Sequence, residues 1–179
     1  MLEAAFVTPV FFTLVFGIIE IGLAMNDYLA LSNSVRSGAR TGSATGNDLT
    51  SDWNILQAIQ REGSALNNNQ IKLIVVYKAS AFGQKPTATC QAGTPVSNVC
   101  NVYTTSDFNE DKDHFGCYAP YTLDKYWCPL SRKVSMGGSG TDYIGVWMKI
   151  EHPWVTKMFG NTKTLTDSSV IRLEPRVRG

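Results

Sequence analysis

The apolar residues of this chain are concentrated at its N-terminal end. From Ala4 to Met25 the sequence is AAFVTPVFFTLVFGIIEIGLAM, about 22 residues with Glu20 as the single charge. A helix of this length spans roughly 33 Å, which matches the hydrocarbon core of a bilayer. A buried core helix is the alternative, but such a helix seldom stays apolar on every face over this length. The pattern therefore predicts a transmembrane helix.

The same helix is expected to continue beyond the membrane through NDYLALSNSVRSGAR. An apolar stripe at helical spacing runs along this continuation and comprises Tyr28, Leu31, Val35 and Ala39. The opposite face is small and polar and carries Arg36 and Arg40, and Gly42 and Gly46 are expected to end the helix. We thus expect a stem at residues 1–45, with about residues 1–26 in the membrane and the rest docked on a globular head.

The head, residues 46–179, begins with a second predicted helix. Ser51 precedes an amphipathic stretch with Ile55, Leu56, Ile59 and Leu66 at helical spacing, although Gly63 is placed to end it early. A strand is expected next, because Ile71, Leu73 and Val75 alternate within IKLIVVYK.

The clearest strand pattern comes after a predicted GGSG turn at residues 137–140. From Thr141 to Glu151 one face carries Ile144, Val146, Met148 and Ile150, and the other Tyr143, Trp147, Lys149 and Glu151. Residues 152–160 are predicted to form a connection with an exposed aromatic tip, and Thr162 to Glu174 a last strand. The predicted fold class is α+β, with the long helix packed on a small, mostly antiparallel sheet.

Four cysteines lie in the loop-rich region between these strands: Cys90, Cys100, Cys117 and Cys128. Their spacing lacks the short Cys-x-x-Cys pattern of zinc sites, so disulfides are favoured over a metal site or unpaired core cysteines. Of the three possible pairings we favour the sequential one, Cys90 with Cys100 and Cys117 with Cys128. Disulfides persist in oxidising compartments, which predicts a head outside the cytoplasm.

Three residues of the stem are candidate membrane or assembly residues. Glu3 and Glu20 bracket the apolar run about 25 Å apart. Glu3 complements the helix dipole, whereas Glu20 either has a partner or extends toward the lipid headgroups. Pro9 removes one backbone hydrogen bond, so a kink or local unwinding is expected there, with Thr8 and Thr13 available to satisfy the freed groups.

Other functions find little support in the sequence. The net charge is +1 and charged residues make up 17%, so a nucleic-acid partner is not expected. Asp107, Asn109, Asp111 and Asp113 resemble the start of a calcium loop, but Lys112 and Tyr118 stand where an EF-hand requires Gly and Glu. No phosphate-binding, hydrolase or metalloprotease motif is present, so we expect neither enzymatic activity nor a cofactor.

The absence of Lys and Arg before Arg36 bears on processing of the chain. An N-in membrane protein normally carries basic residues before its span, and a removable signal sequence would also need them. The pattern is that expected of a mature form after leader removal; the alternative is that Met1 is the initiator residue.

The stem resembles the TadE-like family of pilins. The resemblance rests on Glu3 before the apolar helix, on GIIEIG at 17–22 and on VRSGAR at 35–40; a weaker similarity involves TLTDSSVIRLEP at 164–175. It covers residues 1–45 and 141–175 and leaves the cysteine region unmatched. One departure is that the glutamate is the third residue here, whereas pilin-like proteins usually carry it at the fifth position of the mature chain.

The resemblance implies leader cleavage by a prepilin peptidase, export by pilus assembly machinery, and a role in attachment. The leading hypothesis is a structural pilin, anchored in the bilayer with its C-terminal domain outside and then polymerised with copies of itself in a helical extracellular filament. The alternatives are a minor pseudopilin that primes or tips a filament and a single-pass binding or adhesin module that does not polymerise.

Overall fold

The computed structural model describes residues 2–135 and 140–175, with side chains from Phe6 onward. Its helices are α1 (Leu2–Thr45), α2 (Ser51–Glu62) and the short α3 (Ala88–Gln91). Its strands are β1 (Ile71–Ala79), β2 (Cys100–Tyr103), β3 (Tyr143–Pro153) and β4 (Thr162–Arg172). Only Gly140 of the predicted GGSG turn lies within the described residues.

The four strands form one antiparallel sheet in the order β2–β1–β3–β4. Consecutive strands β3 and β4 make a long hairpin, and α1 and α2 pack on one face of the sheet. This arrangement confirms the predicted α+β class with a long N-terminal helix on a small antiparallel sheet.

The second half of α1 docks on the head as its apolar stripe predicts. Leu31, Val35 and Ala39 have no solvent exposure, but Tyr28 is 38% exposed and does not belong to the buried stripe. The helix ends at Thr45, and Gly46 follows in the left-handed region with φ of 56°. The prediction that Gly42 helps to end the helix is therefore wrong.

Gly42 lies inside α1 at a close contact between layers. A Cβ atom there would come within 2.7 Å of Ile144 Cδ1 on β3 and 2.8 Å of Ile55 Cδ1 on α2. Gly38, one turn earlier, would likewise approach Ile59 to 2.9 Å. The small residues of VRSGAR and its continuation thus let α1 approach both α2 and the sheet.

Both faces of the sheet are covered. Ile144, Val146, Met148 and Ile150 of β3 are fully buried beneath the helices. On the other face Trp147 is buried in a second cluster with Val75, Tyr77 and the Cys90–Cys100 disulfide. The cysteine region therefore supplies a second small core.

The predicted alternation of Ile71, Leu73 and Val75 on one face of β1 is wrong. The register shifts between Ile71 and Leu73, so Ile71 packs under the helices while Leu73 and Val75 pack in the second core. A bulge moves the following residues to the other face, because side chains alternate along a strand.

Two disulfides cross-link the loop region, Cys90–Cys100 and Cys117–Cys128, in the sequential pairing that the sequence favours. The described residues hold no free cysteine. Besides the short α3 and β2, this region contains three 3₁₀ turns, at Thr105–Asn109, Lys112–His114 and Pro129–Ser131.

A buried polar network fixes the second disulfide loop to the helix layer. Arg132 Nη2 lies 2.6 and 2.8 Å from the two carboxylate oxygens of Asp52, in the first turn of α2. The guanidinium also stacks on the Trp127 ring, 4.2 Å from its centroid. Asn101 of β2 donates to Asp52 at 2.9 Å and exchanges two hydrogen bonds with the Trp127 backbone. These contacts hold together three segments that are distant in sequence.

Candidate membrane and assembly site

The first half of α1 extends away from the head as an exposed apolar rod. From Phe6 onward α1 is long and apolar enough to cross a membrane, with a mean hydropathy of 2.1 over its most apolar window. Only 6% of that window is buried against the rest of the chain. A core helix of a soluble protein would be largely buried, so the exposure favours the membrane-spanning interpretation. The exposed apolar side chains are Phe6, Val7, Val10, Phe11, Phe12, Leu14, Phe16, Ile18, Ile19, Ile21, Leu23 and Met25.

Glu20 has a partner within the chain. Its carboxylate accepts the backbone N–H of Val155 at 3.1 Å and that of Thr156, and the residue is 1% exposed. Both donors lie in the loop between β3 and β4. Of the two alternatives for Glu20, the structure supports a partnered carboxylate, because one that extends toward the headgroups would be exposed.

The β3–β4 hairpin is attached to α1 a second time, two turns further along the helix, through a residue at the end of β3. Asp27 Oδ2 lies 2.7 Å from His152 Nδ1 at the end of β3 and accepts a hydrogen bond from Gln70 Nε2, also at 2.7 Å. Asp27 and His152 are both buried. Neither residue belongs to a motif in the sequence, although the seven-residue spacing of Glu20 and Asp27 places both carboxylates on one face of the helix.

These two attachments define the hairpin tip, residues 154–161, which lies against α1 at the level of Glu20. The tip is closed by a hydrogen bond from Trp154 N–H to the Asn161 carbonyl at 3.1 Å. Lys157, with φ of 60°, and Gly160, with φ of 103°, supply the left-handed conformations of the turn. The exposed aromatic tip predicted for residues 152–160 is present, although His152 at its start is buried and Trp154 is half-buried.

α1 is helical from Leu2 to Thr45, so the helix is not unwound at Pro9, and the kink expected there stays a prediction. Thr13 Oγ1 donates to the Pro9 carbonyl at 2.8 Å. The bond reaches the carbonyl of Pro9 itself and not that of Ala5, which is the one left without the Pro9 N–H, so Thr13 does not satisfy the freed group as predicted.

Glu3 lies in the first turn of α1, but its side chain is outside the described residues. Its proposed role in assembly therefore stays a prediction.

In the acidic loop at residues 107–113, Asp107 and Glu110 are bonded to neighbouring residues of the same chain. Asp107 accepts the Thr104 N–H at 2.6 Å and so caps its own turn. Glu110 is bonded to His114 at 2.5 Å. Within residues 2–135 and 140–175 no cluster of three or more His, Cys, Asp or Glu side chains could hold a metal ion.

A protein-family model matches the apolar rod and part of the docked half of α1. Residues 1–40 match the family model of TadE-like proteins. The predicted resemblance is confirmed over these residues, which we call the TadE-like segment. It includes Glu3, Pro9, Glu20 and Asp27, whereas the similarity suggested at residues 164–175 lies outside the match. No curated protein and no solved structure matches the chain significantly.

The TadE-like segment therefore combines an exposed apolar rod with two acidic residues that hold the head at a fixed place along the rod. The match shows that residues 1–40 are similar to TadE-like proteins, and the apolar helix found among the described residues indicates membrane association.

Proposed function

We propose that this chain is a non-enzymatic pilin subunit that is inserted in a membrane through α1 and then assembles with copies of itself into an extracellular filament used for surface attachment. The observation that carries the proposal is the exposed apolar rod from Phe6 to Met25, which is continuous with the helix that forms the core of the head.

The rod needs an apolar environment at every stage. Lipid tails provide one in the bilayer, and because they are as apolar as leucine, a helix leaves them only when another apolar surface replaces them. The rods of neighbouring subunits provide that surface in the centre of a filament. The head would then lie outside, because its polar surface and two disulfides suit an aqueous, oxidising compartment.

The match to TadE-like proteins supports the proposal that pilus-processing and pilus-assembly proteins act on this chain. We infer that a prepilin peptidase processes the chain and that pilus assembly machinery extracts it from the bilayer. The Cys90–Cys100 core and the Cys117–Cys128 loop fall outside the match, so they are the parts of the head that would distinguish this subunit from others on the filament surface.

Glu3 is the residue that best tests assembly. In a packed filament core its carboxylate would be largely desolvated, and an unpaired buried charge costs several kcal/mol. A neighbouring subunit's N-terminal ammonium, displaced along the filament by the stagger between helices, would neutralise both ions. A role restricted to the helix dipole would be worth only about 0.5 kcal/mol.

The experiment compares Glu3→Gln with Glu20→Gln in cells that assemble filaments, measuring filament yield against membrane-bound monomer. Glu3→Gln is expected to leave insertion and head folding intact but to reduce incorporation sharply. Glu20→Gln is the matched control, because it removes the same charge from a carboxylate already bonded within its own chain. Wild-type yield from Glu3→Gln would refute the pairing, and a defect in Glu20→Gln alone would move the assembly contact to the hairpin tip. If the wild-type chain is found only as monomer in the membrane and forms no filaments, the proposed polymerisation is wrong.

A further inference from the structure

The hairpin tip exposes an apolar surface that the head does not use. Val155 is 73% exposed, Phe159 51% and Met158 45%. The tip contains Lys157 but no Asp or Glu, and Lys163 follows shortly after it. Exposed apolar side chains next to basic ones are the combination found where proteins lie on lipid surfaces.

The depth of this surface along the stem is fixed by hydrogen bonds. Glu20 accepts the N–H groups of Val155 and Thr156, and Asp27 accepts from His152 just before the tip. Glu20 lies 14 residues after Phe6, about 21 Å along the helix axis. The tip therefore cannot move far along α1 without breaking these bonds.

The helix beside the tip is still apolar. Ile21, Leu23 and Met25 are exposed on the sides of α1 that the head leaves uncovered. The tip thus lies next to a part of the rod that has the composition of a membrane span, and its own exposed side chains continue that apolar surface.

We propose that the hairpin tip inserts into the bilayer interface beside α1, in the leaflet that faces the head, as a second membrane contact of the unassembled subunit. Val155, Met158 and Phe159 would lie at the boundary of the acyl chains, and Lys157 would reach lipid phosphates. This inference rests on the membrane insertion of α1 in the proposed function, but not on polymerisation.

The proposal explains why Glu20 is bonded to the tip. Burying a carboxylate at this depth in a membrane costs free energy unless its charge is hydrogen-bonded. The two backbone N–H groups provide these hydrogen bonds in place of water. The N–H groups of Val155 and Thr156 make no backbone hydrogen bond within the hairpin tip. Their bonds to Glu20 therefore satisfy polar groups of the tip as well as the carboxylate of α1.

A lipid partner fits the charge of the tip better than a second copy does. Lys157 and Lys163 are the charged residues between positions 154 and 163, and anionic headgroups complement them. A facing copy would instead bring a second pair of lysines if the tips met each other. A copy that covers the tip through another of its surfaces is an outcome of the experiment.

The experiment places a nitroxide label on the full chain in vesicles of phosphatidylcholine with a minority of phosphatidylglycerol. The labelled variants are Val155→Cys, with Met158→Cys as a second tip position, Phe12→Cys on the rod and Phe82→Cys as a control. Phe82 is 67% exposed and contacts Tyr143, at the opposite end of β3 from the tip. Both native disulfides are verified by peptide mapping, and collisions of each label with oxygen and with a water-soluble nickel complex are measured.

Labels on the rod and the tip are expected to collide severalfold more with oxygen than with the nickel complex, and the Phe82 label to show the reverse. A lipid-exposed Phe12 label with water-exposed labels at Val155 and Met158 would overturn the tip proposal and leave the membrane stem intact. Water-exposed labels at all these positions would overturn both. Tip labels shielded from both reagents, and released by dilution into excess lipid, would assign the tip to a second copy and also overturn the proposal.

Discussion

The buried carboxyl of Asp124 makes the stability of the head depend on pH. Asp124 Oδ1 lies 2.6 Å from the Tyr103 hydroxyl, which in turn lies 2.8 Å from Asp52 Oδ2. Burial, and then repulsion from the Asp52 carboxylate, raises the pKa of Asp124 from 3.8 to about 8. The hydrogen bond from Tyr103 and the charge of Arg132 oppose this rise but are smaller.

The geometry agrees with a protonated Asp124 at neutral pH. A tyrosine hydroxyl has one hydrogen, so it can donate to only one of its two carboxyl neighbours. With the proton on Asp124, that carboxyl donates to Tyr103, and Tyr103 donates to the charged Asp52. Asp124 Oδ2 has no hydrogen-bond partner among the described residues, which a neutral carboxyl tolerates better than a carboxylate.

The sign of the pH effect follows from the raised pKa. The unfolded chain loses the Asp124 proton near pH 3.8, whereas the folded chain retains it up to about pH 8. Between these values the folded state binds one more proton than the unfolded state, so the free energy of unfolding falls as the pH rises. The window is about four pH units, and at ~1.4 kcal/mol per unit the upper limit of the loss is roughly 6 kcal/mol.

The assay is urea unfolding of the full chain in zwitterionic detergent, followed by near-ultraviolet circular dichroism from pH 5 to pH 8. Asp124→Asn keeps a donor for Tyr103 and cannot ionise, so the variant is expected to lose several kcal/mol less than wild type over this range. It should be more stable than wild type by at most roughly 2 kcal/mol at pH 5, where the wild-type loss has only begun, and by several kcal/mol at pH 8. Asp113→Asn, at an exposed carboxyl, is the matched control. Its free energy of unfolding should change with pH as that of wild type does. If the free energy of unfolding depends on pH in the same way for wild type and Asp124→Asn, Asp124 does not hold a proton in the folded state.

Two further substitutions test the packing of the hairpin. Glu20→Ala is expected to speed hydrogen exchange of the Val155 and Thr156 amides, because it removes their acceptor. Exchange in the centre of the sheet should stay unchanged. Unchanged exchange at both amides would contradict the contact. Gly145→Ala is expected to destabilise the head by about 1–3 kcal/mol in the same urea assay, because its Cβ would lie 2.3 Å from the Tyr77 ring, and wild-type stability would show that the ring can move aside.

The elements whose hydrophobic pattern is local can be predicted from the sequence. The apolar run before Met25 predicts the exposed rod, the spacing of Leu31 and Val35 predicts its docked half, and the alternation from Ile144 to Ile150 predicts the central strand β3. Each signal depends on the 3.6-residue or two-residue period of one segment, which neighbouring residues alone establish. Glu3, GIIEIG at 17–22 and VRSGAR at 35–40 also suggested the resemblance that the family match confirms over residues 1–40.

Only the tertiary structure decided which polar groups meet. Glu20 binds the backbone 136 residues later, and Arg132 binds Asp52 across 80 residues. The sequence shows that these groups are polar but carries no periodic signal that pairs them, since the pairing depends on how α1, α2 and the hairpin come together. The bulge in β1 and the second core around Trp147 were missed for a similar reason: a register shift and the covering of the second sheet face depend on partner segments, not on the residues of one strand.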